Sequence, residues 1–364
     1  MRARRRYRSI SRRPIAAGLI GVVVLTLFPA VQARGKAAVV LADGVGVELP
    51  RPFAAPVVRV ETRIGGALGD LWSPGWAAPA IVLLPGAAPK GRSDPRVRAV
   101  AGALARSGRM VFVPELHLYK ARFEVADIDV IARAAAGLWR RSGVPVVLLG
   151  FSFGGSFALL AAARPSAQSD VAGVATFGSY FDLLGVLQAA TTGVSVVGAH
   201  REPWRADPRA GAVVRDVATA LVEPGERTAL RAALRGEADP AALPPGARAA
   251  YDLVTNNDPA RTYPLAARLD ATGHALLADF SPAAVAQRIK VPVFAMHSRD
   301  DPLVPYGELL RLHRGLPRAR IQTVSAFTHV DLHLAGSVTA FARDLWTVWS
   351  FASAVLTAQE TWFD

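Results

Sequence analysis

The sequence predicts an α/β protein built on a doubly wound, mostly parallel sheet, with a helical cap inserted late in the chain. Three observations carry that expectation. Short continuous apolar runs recur along the chain, alanine-rich helical stretches lie between them, and one long segment, 183–289, lacks the alternation. Continuous apolar runs suit strands covered on both faces, which parallel βαβ units require.

In order, a Pro- and Gly-rich lead-in (LADGVGVELPRPF) precedes PVVRVETRI, which alternates as a half-buried strand does, with GDLWSP as its hairpin partner. The buried runs follow: APAIVLLPG, RMVFVPEL, VPVVLLG, VAGVATFG and, after the long segment, VPVFAMHS. Helices are expected over Pro95–Arg106, Val125–Arg141 and Gly155–Ala163. From Leu183 to about Ile289 only helix-like stretches occur, such as RAGAVVRDVATALV and RTALRAALRG, broken by EADPAALPPG and NNDPARTYP. ARIQTVSAF is the expected last strand. SVTAFARDLWTVWSFASAVL is the closing helix, with Trp346 and Trp349 expected to pack inward. The implied domains are a leader over 1–33, sheet domain over 34–182, cap over 183–289 and the rest of the sheet domain over 290–364.

Composition narrows the function classes. With 51% hydrophobic and 20% charged residues among 364, the chain has the means to bury a large core. The net charge is +13, yet seven arginines crowd the first 13 residues, and 183–288 holds 11 arginines against 11 acids. A balanced body surface argues against nucleic-acid binding. The leader MRARRRYRSISRRP is followed by the uncharged run Ile15–Val31 and a small-residue end at Val31-Gln32-Ala33, the three parts of a secretory signal. At about 1.5 Å per residue this run is at the short limit for crossing a bilayer. Export with cleavage and an uncleaved anchor are both open, and either puts the body outside the cytoplasm. The N-terminal SRR only loosely matches a twin-arginine signal. The absence of cysteine fits such a compartment without requiring it.

The chemistry centres on VPVVLLGFSFGGSFALLAAARP. Gly150-Phe151-Ser152-Phe153-Gly154 fits G-x-S-x-G, with a strand before it and a helix after it. A serine on that tight corner projects its hydroxyl over the carboxyl edge of the sheet. The flanking glycines avoid collisions with neighbouring backbone, and the helix N-terminus points positive charge at the reacting oxygen. Ser156 reads as a small helix-face residue. A serine hydroxyl needs a base and an orienting acid, which in this architecture follow in the order acid, then histidine. MHSRDDPLVPY supplies two carboxylates just past a strand, and AFTHVDLHL supplies two histidines just past the last one.

On these residues the chain resembles the α/β-hydrolase superfamily, closest to its lidded esterase and dienelactone-hydrolase-like branches, over roughly Val57 to Phe351 without the cap. The resemblance matches Asp301-Pro302-Leu303-Val304-Pro305 to the family's acid turn, implying Asp301 as the acid, and His329 after SAF as the base. Ser298 stands where the family commonly has glycine. Asp300 and Asp182 remain alternatives for the acid, and His333 for the base. His117, His200, His274, His297 and His313 suit surface or core roles, and no spacing among them suggests a metal site.

An oxyanion hole requires two backbone N–H groups. Phe153 supplies one, and Ala87 in VLLPGAAPKG is nominated for the other. The expected activity is cleavage of a small or medium uncharged carboxylic ester through an acyl-enzyme on Ser152, with no metal or organic cofactor. Acyl transfer to a sugar or lipid hydroxyl, and a non-catalytic binding member of the fold, are the alternatives. Membrane contact through the N-terminus is the further partner implied. The cap should roof Ser152, and Leu184, Val186, Leu187 and Leu276 are candidates for an acyl pocket, or for simple core.

Overall fold

The structure, a computed structural model, describes residues 29–44, 54–120, 122–325, 327–329, 331–332 and 338–360. The basic leader and most of the apolar run expected to be a signal or anchor lie outside the described residues.

Among the described residues, ten strands longer than two residues organise the molecule: β1 (Val58–Ile64), β2 (Ala67–Ser73), β3 (Ala80–Leu84), β4 (Met110–Pro114), β5 (Val146–Phe151), β6 (Val171–Phe177), β7 (Val194–Val197), β8 (His200–Pro203), β9 (Val293–Ser298) and β10 (Arg320–Val324). Eight of them form one sheet in the order β1-β2-β4-β3-β5-β6-β9-β10. Pairing is antiparallel from β1 to β2 and β2 to β4, and parallel across the rest. This is the expected mostly parallel sheet, and β5 with its serine lies near its middle.

The helices are α1 (Pro29–Gly44), α2 (Pro95–Arg106), α3 (Val125–Ser142), α4 (Phe153–Ala162), α5 (Leu183–Thr192), α6 (Pro208–Ala220), α7 (Arg227–Leu234), α8 (Pro245–Val254), α9 (Thr262–Ala266), α10 (Ala271–Asp279), α11 (Pro282–Val285), α12 (Gly307–Gly315) and α13 (Val338–Glu360). Local chemistry sets their ends. Asp94 caps α2 by accepting from the Arg96 N–H at 2.9 Å, with Pro95 in the first turn, and α3 stops at Gly143 in the left-handed conformation.

Period-two alternation divides the strands' side chains between two cores. Ile81, Leu83, Val111, Val113 and Val147 pack with Leu104 of α2 and Val355 of α13. Val82, Leu84, Phe112 and Leu148 pack with Ile131 of α3 and Phe157 of α4. The sheet is thus covered on both faces. The second core continues without a break into the inserted helices through Leu184, Val217, Leu221, Leu230, Leu253 and Leu269. Each such side chain stabilises the native state by about 1.5–3 kcal/mol relative to exposure, so these helices are welded to the sheet.

Three local expectations need correction. The segment expected to lack strands contains the antiparallel ribbon β7–β8. Its two strands are joined by Gly198-Ala199, with Gly198 at φ 61°, a turn that wants glycine at its first position. Helix α4 begins at Phe153, two residues before the expected start, because the turn at Ser152 passes directly into it. Trp346 does not pack inward. It is 65% exposed and leans on Trp349 with ring centroids 4.7 Å apart, while the Trp349 indole N–H donates to the Arg34 carbonyl of α1 at 3.1 Å. The residues Val31-Gln32-Ala33, nominated as a cleavage region, fall inside α1, where Ala33 and Ala37 are fully buried in the core shared with α13. Among the described residues no helix is long and apolar enough to cross a membrane.

Candidate active site

Ser152 occupies the corner between β5 and α4 with φ 52° and ψ −132°, outside the regions that a residue with a Cβ ordinarily adopts. Strain of this kind costs about 1–3 kcal/mol and persists only where neighbours over-determine it. Here the Ser152 N–H donates to the Phe177 carbonyl at 2.8 Å, and the Ser152 carbonyl accepts from Gly155 at 3.0 Å. The flanking glycines are needed for space. A Cβ at Gly150 would stand 2.3 Å from Gly155 Cα, and one at Gly154 would stand 2.2 Å from the Leu84 carbonyl oxygen of the adjacent strand. Ser156, the small helix-face residue, is fully buried and donates its hydroxyl to the Tyr180 carbonyl at 2.6 Å.

The loop after β3 closes on the serine from the other side. A Cβ at Gly86 would lie 2.7 Å from Ser152 Cβ and 3.2 Å from its Oγ. Ala87 and Phe153 border the same cavity as Ser152. Phe153 opens α4, where backbone N–H groups have no acceptor within the helix. Its ring is held in the core by edge contacts with Phe123 and Tyr180, at 5.4 and 5.1 Å between centroids.

Asp301 follows β9 and is 1% exposed. Its Oδ1 accepts from the Leu303 and Val304 N–H groups at 2.8 and 3.0 Å, which folds the Asp-Pro-Leu-Val turn around the carboxylate. Its Oδ2 lies 2.7 Å from His329 Nδ1. Burial by itself would push this carboxyl up, but hydrogen bonds and charge from His297 and His329 outweigh it and hold the group well below the usual carboxylate range. An ionised acceptor requires the proton on His329 Nδ1, which leaves Nε2 with its lone pair. His329 itself has φ 59°, the second non-glycine residue with positive φ among the described residues, and borders the cavity with Ser152.

Among the alternatives, Asp300 is exposed. Asp182 caps α5, accepting from the Leu184 N–H, and faces Tyr263 and Arg311 instead of a histidine. His333 lies outside the described residues. The structure therefore brings Asp301 and His329 together, with Ser152, Phe153 and Ala87 around one cavity.

Two further side chains adjoin the acid without a motif that announces them. His297, for which the sequence suggests only a surface or core role, is 1% exposed, with Nε2 3.0 Å from the Val304 carbonyl and 3.3 Å from Asp301 Oδ2. Two acceptors at one nitrogen fix its proton there. The spacing carries the signal, since His297 is the penultimate residue of β9 and stands four residues before Asp301. The other is Trp204, whose indole N–H donates to the Asp301 carbonyl at 2.7 Å. No motif marked it.

The cavity has a volume of about 400 Å³. Core residues Val97 and Val100 line one side, and Val186, Ala190, Val213 and Val214 from the inserted segment line another. Of the pocket candidates named from sequence, Val186 borders it, Leu184 and Leu187 are core, and Leu276 packs against that core. Among the described residues lining the cavity, Asp94 and Arg96 form a pair of opposite charges at 3.1 Å. The Arg96 hydrogen bond leads the interactions that hold the Asp94 carboxyl low, against its partial burial. Among the described residues no cluster of three or more His, Cys, Asp or Glu side chains is arranged to hold a metal ion.

A family model described as the alpha/beta hydrolase fold matches residues 121–334. No curated protein matches the chain. Solved structures similar to it include a hormone-sensitive lipase from a metagenome library, at 15% identity and TM-score 0.47, covering 88% of this chain and 90% of that one. A dienelactone hydrolase from Anabaena variabilis matches at 15% identity and TM-score 0.44, covering 84% and 98%. An esterase from Pyrococcus furiosus matches at 13% identity and TM-score 0.46, covering 85% and 92%.

Proposed function

The chain belongs to the alpha/beta hydrolase fold family, and from that premise we propose that it is a serine hydrolase cleaving carboxylic esters through an acyl-enzyme on Ser152. The observation that carries the reading is the Asp301–His329 hydrogen bond of 2.7 Å at the rim of the cavity that also holds the strained Ser152.

Ser152 Oγ attacks the ester carbonyl carbon as His329 Nε2 takes its proton. Asp301, ionised and buried, holds the imidazole through Nδ1 and stabilises its charge. The tetrahedral oxyanion accepts hydrogen bonds from the Phe153 and Ala87 N–H groups. Collapse of the intermediate expels the alcohol, which receives the proton from His329. Water then attacks the acyl-serine by the same sequence, giving the carboxylic acid and restoring the hydroxyl.

The walls favour a small or medium uncharged ester. They are mostly aliphatic, and Arg96 is occupied by Asp94. Residues 183–289 act as a cap on the sheet domain of 34–182 and 290–364, since side chains from that segment complete the cavity. Excluding water there strengthens the oxyanion interactions. The basic-then-apolar leader supports a body working outside the cytoplasm, secreted or tethered by its N-terminus.

The test is turnover of p-nitrophenyl esters with and without alcohol acceptors. Hydrolysis by the wild type, lost in Ser152→Ala, is expected. Product partitioning mainly to the added alcohol would instead favour acyl transfer.

A further inference from the structure

We propose that Trp204 is a positioning residue for the Asp301–His329 pair and also the wall that limits the acyl or alcohol group the cavity accepts; this rests on the hydrolase reading above. Trp204 directly follows β8, and its backbone N–H donates to the Gly193 carbonyl at 2.8 Å, fixing it to the base of the ribbon. From there the indole reaches the acid turn, donating Nε1–H to the Asp301 carbonyl oxygen at 2.7 Å. Three residues on, the Asp207 N–H donates to the Pro302 carbonyl at 2.8 Å. The ribbon also rests on the end of the same turn, where a Cβ at Gly307 would lie 2.1 Å from Ser195 Oγ.

The carboxylate of Asp301 is fixed relative to its own turn by Leu303 and Val304. The turn, in turn, is fixed relative to the inserted segment by Trp204 and Asp207. Without the indole N–H, the Asp301 carbonyl loses a partner in a part-buried setting, and the turn carrying the acid is free to shift against His329. The same indole borders the cavity beside Leu303 and His329. One side chain therefore ties the placement of the inserted segment both to the orientation of the imidazole and to the space left for substrate.

Two variants separate these roles. Trp204→Phe keeps an aromatic wall and removes the donor; Trp204→Ala removes both. For Trp204→Phe the expected result is a kcat lowered roughly three- to ten-fold with KM nearly unchanged across acyl lengths, the scale of one lost hydrogen bond. The low-field proton resonance of His329 Nδ1–H should also move or broaden. For Trp204→Ala the expected result is a shift of the preferred ester toward longer or bulkier groups, read as a KM change that depends on chain length. The resonance does not depend on turnover. A displaced His329 signal in Trp204→Phe, with no esterase activity in the wild type, would keep the positioning role and defeat the hydrolase reading. Unchanged kcat and unchanged resonance in Trp204→Phe would overturn the proposal even if Trp204→Ala failed to fold.

Discussion

The Asp182 N–H donates to Glu308 Oε2 at 2.8 Å, joining the residue just before the inserted segment to the helix that follows the Asp301 turn. The Phe181 N–H donates to the same oxygen at 2.9 Å, and Arg311 Nε lies 3.1 Å from Oε1. Arg311 Nη1 also donates to the Tyr263 hydroxyl at 3.1 Å and lies 3.6 Å from Asp182 Oδ2. A buried polar cluster thus holds the root of the segment against α12.

Complete burial pushes the Glu308 carboxyl up to about 7, and the charge of Arg311 pulls it back by less than burial raises it. Its unfolded value is about 4.3. Between those limits the folded state holds the extra proton, so stability falls as pH rises from about 4.3 through about 7. Thermal unfolding of the wild type should therefore show a lower melting temperature at about pH 8 than at about pH 5. Glu308→Gln should lose part of that slope, whatever its absolute stability. Equal slopes in both proteins would contradict the assignment.

The acid is tested against its neighbours. Asp301→Asn should lower kcat by roughly three to four orders of magnitude, since an amide can no longer hold the His329 proton on Nδ1. Asp300→Asn, on the exposed side of the turn, should stay within about two-fold of wild type. His329→Ala combined with Ser152→Ala should be no worse than Ser152→Ala alone, because groups acting as one unit do not add.

The corner at the serine tolerates no added atom at Gly154. Gly154→Ala drives a methyl to 2.2 Å from the Leu84 carbonyl and should destabilise the fold by about 1–3 kcal/mol or more, measured by denaturant unfolding. Gly225→Ala, where nothing lies within 4 Å and φ is not positive, serves as the matched control and should be nearly neutral.

Cavity size should govern chain-length preference. Val214→Phe adds bulk from the inserted side of the cavity and should shift the ester profile toward shorter groups, read from kcat/KM across a series of acyl lengths. A uniform fall across the series would mean that the substrate lies elsewhere.

Much of this was readable before any coordinates. The strand before Ser152, the helix after it and the bounds Pro95–Arg106 follow from period, turn chemistry and capping, all local properties. What escaped is non-local or small. The ribbon β7–β8 is two four-residue strands, and its one signal was Val-Ser-Val-Val before Gly198-Ala199. The exposure of Trp346 depends on which face α13 turns toward α1, which periodicity alone does not specify. His297 and Trp204 reach the site only through contacts with Asp301, and for Trp204 the partner is 97 residues away. The continuity of the second core into the inserted helices was also invisible in sequence. It implies that excising 183–287 would expose sheet-side core, so side-chain replacements probe the cap better than deletion does.

The proposed chemistry stands or falls with Ser152 as the nucleophile. Intact-protein mass spectrometry after reaction with a fluorophosphonate tests it most directly, with peptide mapping to locate the adduct. The expected result is a single covalent adduct on Ser152, absent from Ser152→Ala and slowed by orders of magnitude in His329→Ala. A folded wild-type protein that never labels, or one labelled at another residue and equally in Ser152→Ala, would contradict it.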